Sequence, residues 1–349
     1  MTVTNSNIRK FEEAKLSEEK YNLLMQYICH ERNFLYSFLE YHNLSSFPLF
    51  YLDRYKGWKY SDGAEPILPS SNGFSDFLDK HVREYRFISK DNLLVELQKL
   101  FSEGHRAAVD IWLEHTDGTP YTTAILLEGM QEHGVIYYTK INVTINRTYV
   151  EMDFNHLKES LSLNENDLTK LTIIKKSEEL DLLASMSPLS AFQYIFTNLY
   201  NYKLEGEQLF KNGEMVNYDL SGFDELIQYL ESSMDEIVTE YGVPKHHEIR
   251  LSRHIENKLT PIQCGLQYIV DTSDLREKLS KELITEVETQ ISELNQKLKS
   301  LLKFASLLIQ RPQSSFYEMY LNSVKSLRDY LPLYQNVHNN VVVALLNNE

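Results

Sequence analysis

Leu279, Leu283, Val287, Ile291, Leu294, Leu298 and Leu301 follow one another at steps of three and four residues. Only an α-helix gathers such a series on one face, because one turn holds about 3.6 residues. The stripe defines an amphipathic helix of about six turns, and so long an apolar face has to be buried. Packing within a helical bundle is the commoner fate of such a helix; a heptad dimer with a second copy is the other. Its neighbours agree. Residues 223–238 read as a helix with Leu226, Tyr229 and Leu230 on one face. Residues 323–330, stopped by Pro332, and 341–346 complete a back part that is helical throughout.

Upstream of about residue 204 the period changes. Residues 107–113, 124–128 and 135–143 are short runs rich in β-branched and aromatic side chains. His115-Thr116-Asp117-Gly118-Thr119-Pro120 and Gln131-Glu132-His133-Gly134 separate them as turns. Three such runs predict an antiparallel meander, with residues 147–152 as a fourth strand before a helix that begins near Asp153. Residues 171–174 add a strand and 180–200 a long helix. Nearer the N-terminus, residues 29–41 read as a helix, with Phe34 and Phe38 beside Leu35 and Leu39, and residues 75–87 read as another. Residues 47–51 and 58–60 look extended, and Ser70 to Gly73 is turn-forming. A further helix starts after Ser89 and stops at Gly104, placed as a C′ glycine. The expectation is an α+β chain in two domains: residues 1–204 with a small antiparallel sheet, and an all-helical 205–349.

Composition narrows the partners. A net charge of −15 repels a phosphate backbone and anionic headgroups, which argues against nucleic acid and membrane surfaces. No apolar run approaches the ~20 residues that span a bilayer, and the first residues lack a signal-peptide core, so the cytoplasm is expected. Two cysteines far apart, Cys29 and Cys264, make neither a disulfide framework nor a zinc set.

Cys29 stands in Tyr27-Ile28-Cys29-His30-Glu31-Arg32-Asn33-Phe34, at the predicted start of a helix. The positive end of a helix lowers a thiol pKa and can hold an oxyanion, although a lone cysteine is more often a small buried hydrophobe. An aromatic twelve residues on and Tyr41-His42-Asn43-Leu44-Ser45 follow it. Downstream come Gly104-His105-Arg106-Ala107-Ala108-Val109-Asp110 and Thr123-Ala124-Ile125-Leu126-Leu127-Glu128-Gly129. In this order, over roughly residues 20–165, the segments resemble the butirosin biosynthesis protein H-like domains, relatives of the papain-like, bacteriocin-processing cysteine peptidases. The resemblance implies a papain-like front part and an acyltransferase of secondary-metabolite, including antibiotic, biosynthesis. Cys29 would take an acyl or aminoacyl group from a carrier-protein thioester and pass it to an amine.

The departures are chemical. The base histidine of that pattern falls at Thr123, and threonine cannot accept a thiol proton near neutral pH. The acidic residue falls near 140–142, where there is no carboxylate. His115 is the substitute base considered, with Asp110 five residues before it; His30 points to another side of its helix and His133 sits in a turn. His246, His247 and His254 read as a solvated helix face, since seven residues separate the last two and metal pairs use spacings of three or four. Gly-rich phosphate cradles, G-x-S-x-G and H-E-x-x-H are absent, so no cofactor or metal is expected. Two functions follow. One is the Cys29 acyltransferase, with an acyl carrier protein, an amine and an acyl group as its partners. The other is a catalytically inactive relative that binds a ligand or scaffolds a biosynthetic enzyme; the global negative charge, which suits an acidic carrier poorly, favours it. In either case a homodimer through the helical part remains open.

Overall fold

A computed structural model of the chain describes residues 44–52, 77–114, 120–131, 133–140, 147–175, 177–206, 208–239, 247–311 and 313–347. They divide into two compact units, one of residues 44–47 and 77–185, the other of 48–52 and 186–347. The second unit thus begins ahead of residue 205 and includes a short sheet.

The first unit is built on six antiparallel strands: β1 (Arg83–Ser89), β2 (Arg106–Glu114), β3 (Pro120–Met130), β4 (Gly134–Lys140), β5 (Arg147–Asp153) and β6 (Leu168–Ile174). Their order across the sheet is β1-β6-β2-β3-β4-β5. The expected meander is the β2-to-β5 stretch, and the predicted strand at 171–174 is β6, which enters between β1 and β2. Helices α1 (Lys90–Ser102) and α2 (Phe154–Ser160) lie on one face. Leu93, Leu97 and Leu100 of α1 and Leu157 of α2 bury against Val109, Leu127, Leu171 and Ile173, alternate residues of their strands. The ends of α1 fall where the sequence puts them. Ser89 precedes it in extended conformation, though its hydroxyl makes no capping bond. Gly104 takes φ +81°, and the N–H groups of Gly104 and His105 return to the carbonyls of Phe101 and Leu100, a Schellman ending. A seventh-residue cap closes the other end of the meander: Asp153 accepts from the N–H groups of Asn155 and His156, both at 2.9 Å, and starts α2.

Three expectations in this unit and at its edges are corrected. Residues 75–87 do not form one helix: Leu78–Val82 is a π-helical turn, and Arg83–Ser89 is strand β1. Arg-Glu-Tyr-Arg-Phe-Ile-Ser alternates in exposure as a strand does, and a run this short carries both periods. Phe47–Tyr51 is a 3₁₀ turn rather than extended chain. The helix expected at 180–200 is broken into α3 (Glu178–Ser185) and α4 (Pro188–Tyr194), followed by a π-helical turn at Ile195–Leu199. Ser187 is the cause: its hydroxyl caps the N–H of Ser190 at 3.2 Å, and Pro188 takes the first position, where a missing N–H costs nothing.

In the second unit α4 leads into a three-stranded sheet, β7 (Tyr202–Glu205), β8 (Gln208–Lys211) and β9 (Glu214–Met215), in that order. These strands were not expected. Helices α5 (Ser221–Thr239), α6 (His247–Asp271), α7 (Ser273–Arg276), α8 (Lys281–Gln310) and α9 (Ser314–Leu346) follow. The apolar stripe from Leu283 to Leu301 lies on α8, capped by the Ser280 hydroxyl on the Leu283 N–H at 3.1 Å. Its Val287, Leu294, Leu298 and Leu301 are buried, and α8 packs along both α6 and α9. Pro332 does not stop a helix, as the sequence suggested; α9 runs through it from Ser314 to Leu346. Leu331 and Tyr334 on either side are fully buried, and their packing outweighs the one backbone bond that the proline withdraws. No described helix is long and apolar enough to cross a membrane.

Candidate functional site

Two of the segments that carry the acyl-transfer resemblance fall on one ladder of the first unit. Gly104 to Asp110 leads into β2, and Thr123 to Gly129 lies in β3. In register, Thr123 pairs with Ile111 and Ala124 with Asp110. The ladder then breaks step between Leu127 and Gly129, a bulge at Glu128. Cys29 and His115, the two residues assigned catalytic roles, lie outside the described residues, as do His30 and His246. Lys140 ends β4.

The strands themselves hold no imidazole. None of the six sequences from β1 to β6 contains a histidine. The described histidines of this unit flank the sheet: His105 precedes β2, His133 is exposed in the β3–β4 turn, and His156 is exposed on α2. His81 lies on the π-helical turn before β1, its ring 5.2 Å from that of Phe77. Partial burial lowers its pKa, with Glu179 opposing the shift and Lys80 adding to it. The sequence reading passed over His81, for it sits in a stretch taken as plain helix.

A denser set of polar side chains is buried in the second unit. Tyr218 Oη lies 2.9 Å from His338 Nδ1, with the ring centroids 6.1 Å apart. Gln335, one turn before His338 on α9, accepts from the Tyr218 N–H at 2.9 Å and donates to the Val216 carbonyl at 3.1 Å. Asn339 Nδ2 donates to that same carbonyl and Gln335 Nε2 to Asn217 Oδ1, both at 3.1 Å, so with the Tyr218–His338 contact α9 holds the chain after β9 by five bonds. Tyr330, two turns before His338, donates its hydroxyl to the Gln290 carbonyl on α8 at 2.7 Å. Burial pushes the His338 imidazole down to about 4 and keeps it neutral at ordinary pH. Burial likewise drives the Tyr334 phenol far above its usual range, with Tyr218, Tyr330 and the buried thiol of Cys264 adding to the effect. This set escaped the sequence reading because Tyr218 and His338 are 120 residues apart. The only local trace was Tyr330, Tyr334 and His338 at successive steps of four.

On the surface of the same unit an open groove of about 620 Å³ runs between α8 and α9, past Lys297, Ser300, Phe304, Met319 and Ser323. Its hydroxyls are turned inward: Ser300 donates to the Gln296 carbonyl at 2.9 Å and Ser323 to that of Met319 at 2.8 Å. Lys297 bonds the Ser326 hydroxyl at 2.8 Å and lies 5.1 Å from the centre of the Tyr330 ring. Among the described residues no three His, Cys, Asp or Glu side chains gather as a metal would need. The chain matches no protein-family model and no curated protein.

Proposed function

We propose that the chain is a non-catalytic relative of the cysteine-dependent acyl-transfer proteins, using a papain-like framework to bind an acyl ligand or to dock a partner enzyme. What supports that relationship is the order of the Cys29 segment, the segment at 104–110 that leads into β2 and the segment at 123–129 in β3. What argues against turnover is one observation: the strand position of the base is Thr123, and no strand of the sheet carries a histidine that could replace it. A thiol left without an imidazole relies on its own ionised fraction, a few per cent at neutral pH for a pKa near ~8.5. The competing reading keeps the enzyme. Cys29 would then give its proton to His115, from the β2–β3 connection, and attack a carrier thioester with release of the carrier's thiol; an amine would take the acyl group as the Cys29 thiol leaves.

Intact-mass measurement separates the two. The protein is incubated with an acyl thioester and, separately, with iodoacetamide, alongside Cys29→Ala. The binding reading expects no acyl adduct, and alkylation of Cys29 at an ordinary thiol rate. A rapid acyl adduct that disappears in Cys29→Ala would restore the acyltransferase. Loss of that adduct in His115→Gln as well would identify the base.

A further inference from the structure

The buried polar set in the second unit has hydrogen-bonding groups that no described residue satisfies. Tyr334 Oη and His338 Nε2 are both sealed from solvent, and neither has a hydrogen-bond partner among the described residues. Four residues apart on α9, they share one face of the helix a turn apart. Asn339 Oδ1, on the next residue, is in the same position. Buried hydroxyls and imidazole nitrogens in folded proteins are almost always bonded, because stripping water from them without replacement is costly. Two such atoms one helical turn apart point to a shared partner rather than to two independent losses.

We propose that Tyr334 and His338 together hold one small neutral molecule that both donates and accepts hydrogen bonds, a structural water. The inference stands independently of the acyl-transfer relationship. Water fits the donor and acceptor count. His338 engages Tyr218 through Nδ1, which leaves Nε2 with one bond to make in either tautomer. When Nε2 carries the proton, the water oxygen accepts it and the water donates on to Tyr334 Oη; when Nε2 is bare, the directions reverse. The result is a continuous chain from Tyr218 through His338 and the water to Tyr334. A charged occupant fits poorly. The groups that act on Tyr334 are Tyr218, Tyr330 and Cys264, with no carboxylate, lysine or arginine among them to offer a counter-charge. Because the 216–218 segment is bonded to the same face of α9, the water would help fasten it there.

The test is Tyr334→Phe in the full chain, which removes the hydroxyl and nothing else. A water bridge predicts a melting temperature lower by about 2–5 °C, since the water and Nε2 lose a partner. An unchanged or raised melting temperature overturns the proposal, because in a dry interior the substitution deletes an unpartnered hydroxyl. A second reading does not depend on stability. In the parent protein labelled with ¹⁵N-histidine, a magnetisation-transfer signal from long-lived water to the His338 ring is expected, and it should vanish in Tyr334→Phe. No such signal from a well-folded parent would equally overturn it.

Discussion

His338 is a buried side chain whose environment departs far from solution. Its pKa is about 4 in the folded protein against an unfolded value of 6.5, so the fold favours the neutral ring. Its stabilising contribution is complete above pH 6.5 and is lost as the pH falls, because the unfolded chain binds the proton first. The loss levels off below about pH 4, at roughly 3 kcal/mol for a shift of this size. The side chain shown against it is Tyr218, whose hydroxyl lies 2.9 Å from Nδ1. Urea melts at pH 7, 5.5 and 4.5 should show a shallower pH dependence for His338→Gln than for the parent; equal slopes would place the proton uptake elsewhere. None of this was legible at the residue level. A histidine on an apolar helix face looks the same whether its tyrosine partner exists or not, and only the fold brings a residue 120 positions away to meet it. Gly104 is the opposite case: its place after the last periodic residue of α1 was enough, because a C′ glycine answers a purely local backbone demand.

Elements were legible in proportion to how local their cause is. The β2-to-β5 meander followed from alternation and turn residues, and α8 from seven apolar positions. The hairpin between β8 and β9 was overlooked although its signal is local too. Asn212-Gly213 joins the strands with both φ values positive, +54° and +84°, the pair that two-residue hairpins favour. The flanking strands are short, and the helical pattern around them masked it. Pro188 and Pro332 show why proline alone misleads. The first sits at a helix start beside a capping serine; the second is carried through α9 by packing. Two glycines give a graded prediction. Gly104→Ala meets no atom and should cost about 1 kcal/mol through its left-handed φ alone. At Gly134 in β4 an added Cβ would run into the Met152 carbonyl oxygen of β5, a backbone atom that cannot swing aside. Gly134→Ala should therefore cost more, about 2–3 kcal/mol, read as the larger drop in urea midpoint. The reverse order would show that the β4–β5 pairing yields easily.

At the scale of the whole molecule, the second unit is discontinuous in sequence. Leu49, Phe50, Tyr51 and Leu52 are all buried, and this early segment belongs with residues 186–347. Tyr200 donates to the Phe50 carbonyl at 3.0 Å, and their rings meet edge to face at 6.5 Å. Gly265 of α6 is the close approach: a Cβ there would stand 2.7 Å from a Leu52 methyl. Replacing Phe50 by alanine should destabilise this unit by about 3–5 kcal/mol. Hydrogen exchange read by mass spectrometry should then show lost protection in α6, α8 and α9, while the β2–β3 ladder keeps its own. Loss confined to the first unit would contradict the assignment. The α+β outline was visible in the sequence; this early segment was not, since a short apolar run gives no hint of a partner so far along the chain.

That pairing also has a consequence for synthesis. Roughly 200 residues separate Leu52 from Gly265. At about 5–20 residues per second a ribosome needs on the order of 10–40 s to cover that distance. Throughout that interval a strongly apolar stretch has left the exit tunnel with its eventual seat still untranslated. Nascent chains of this protein should accordingly lean on holdase chaperones more than their final compactness suggests.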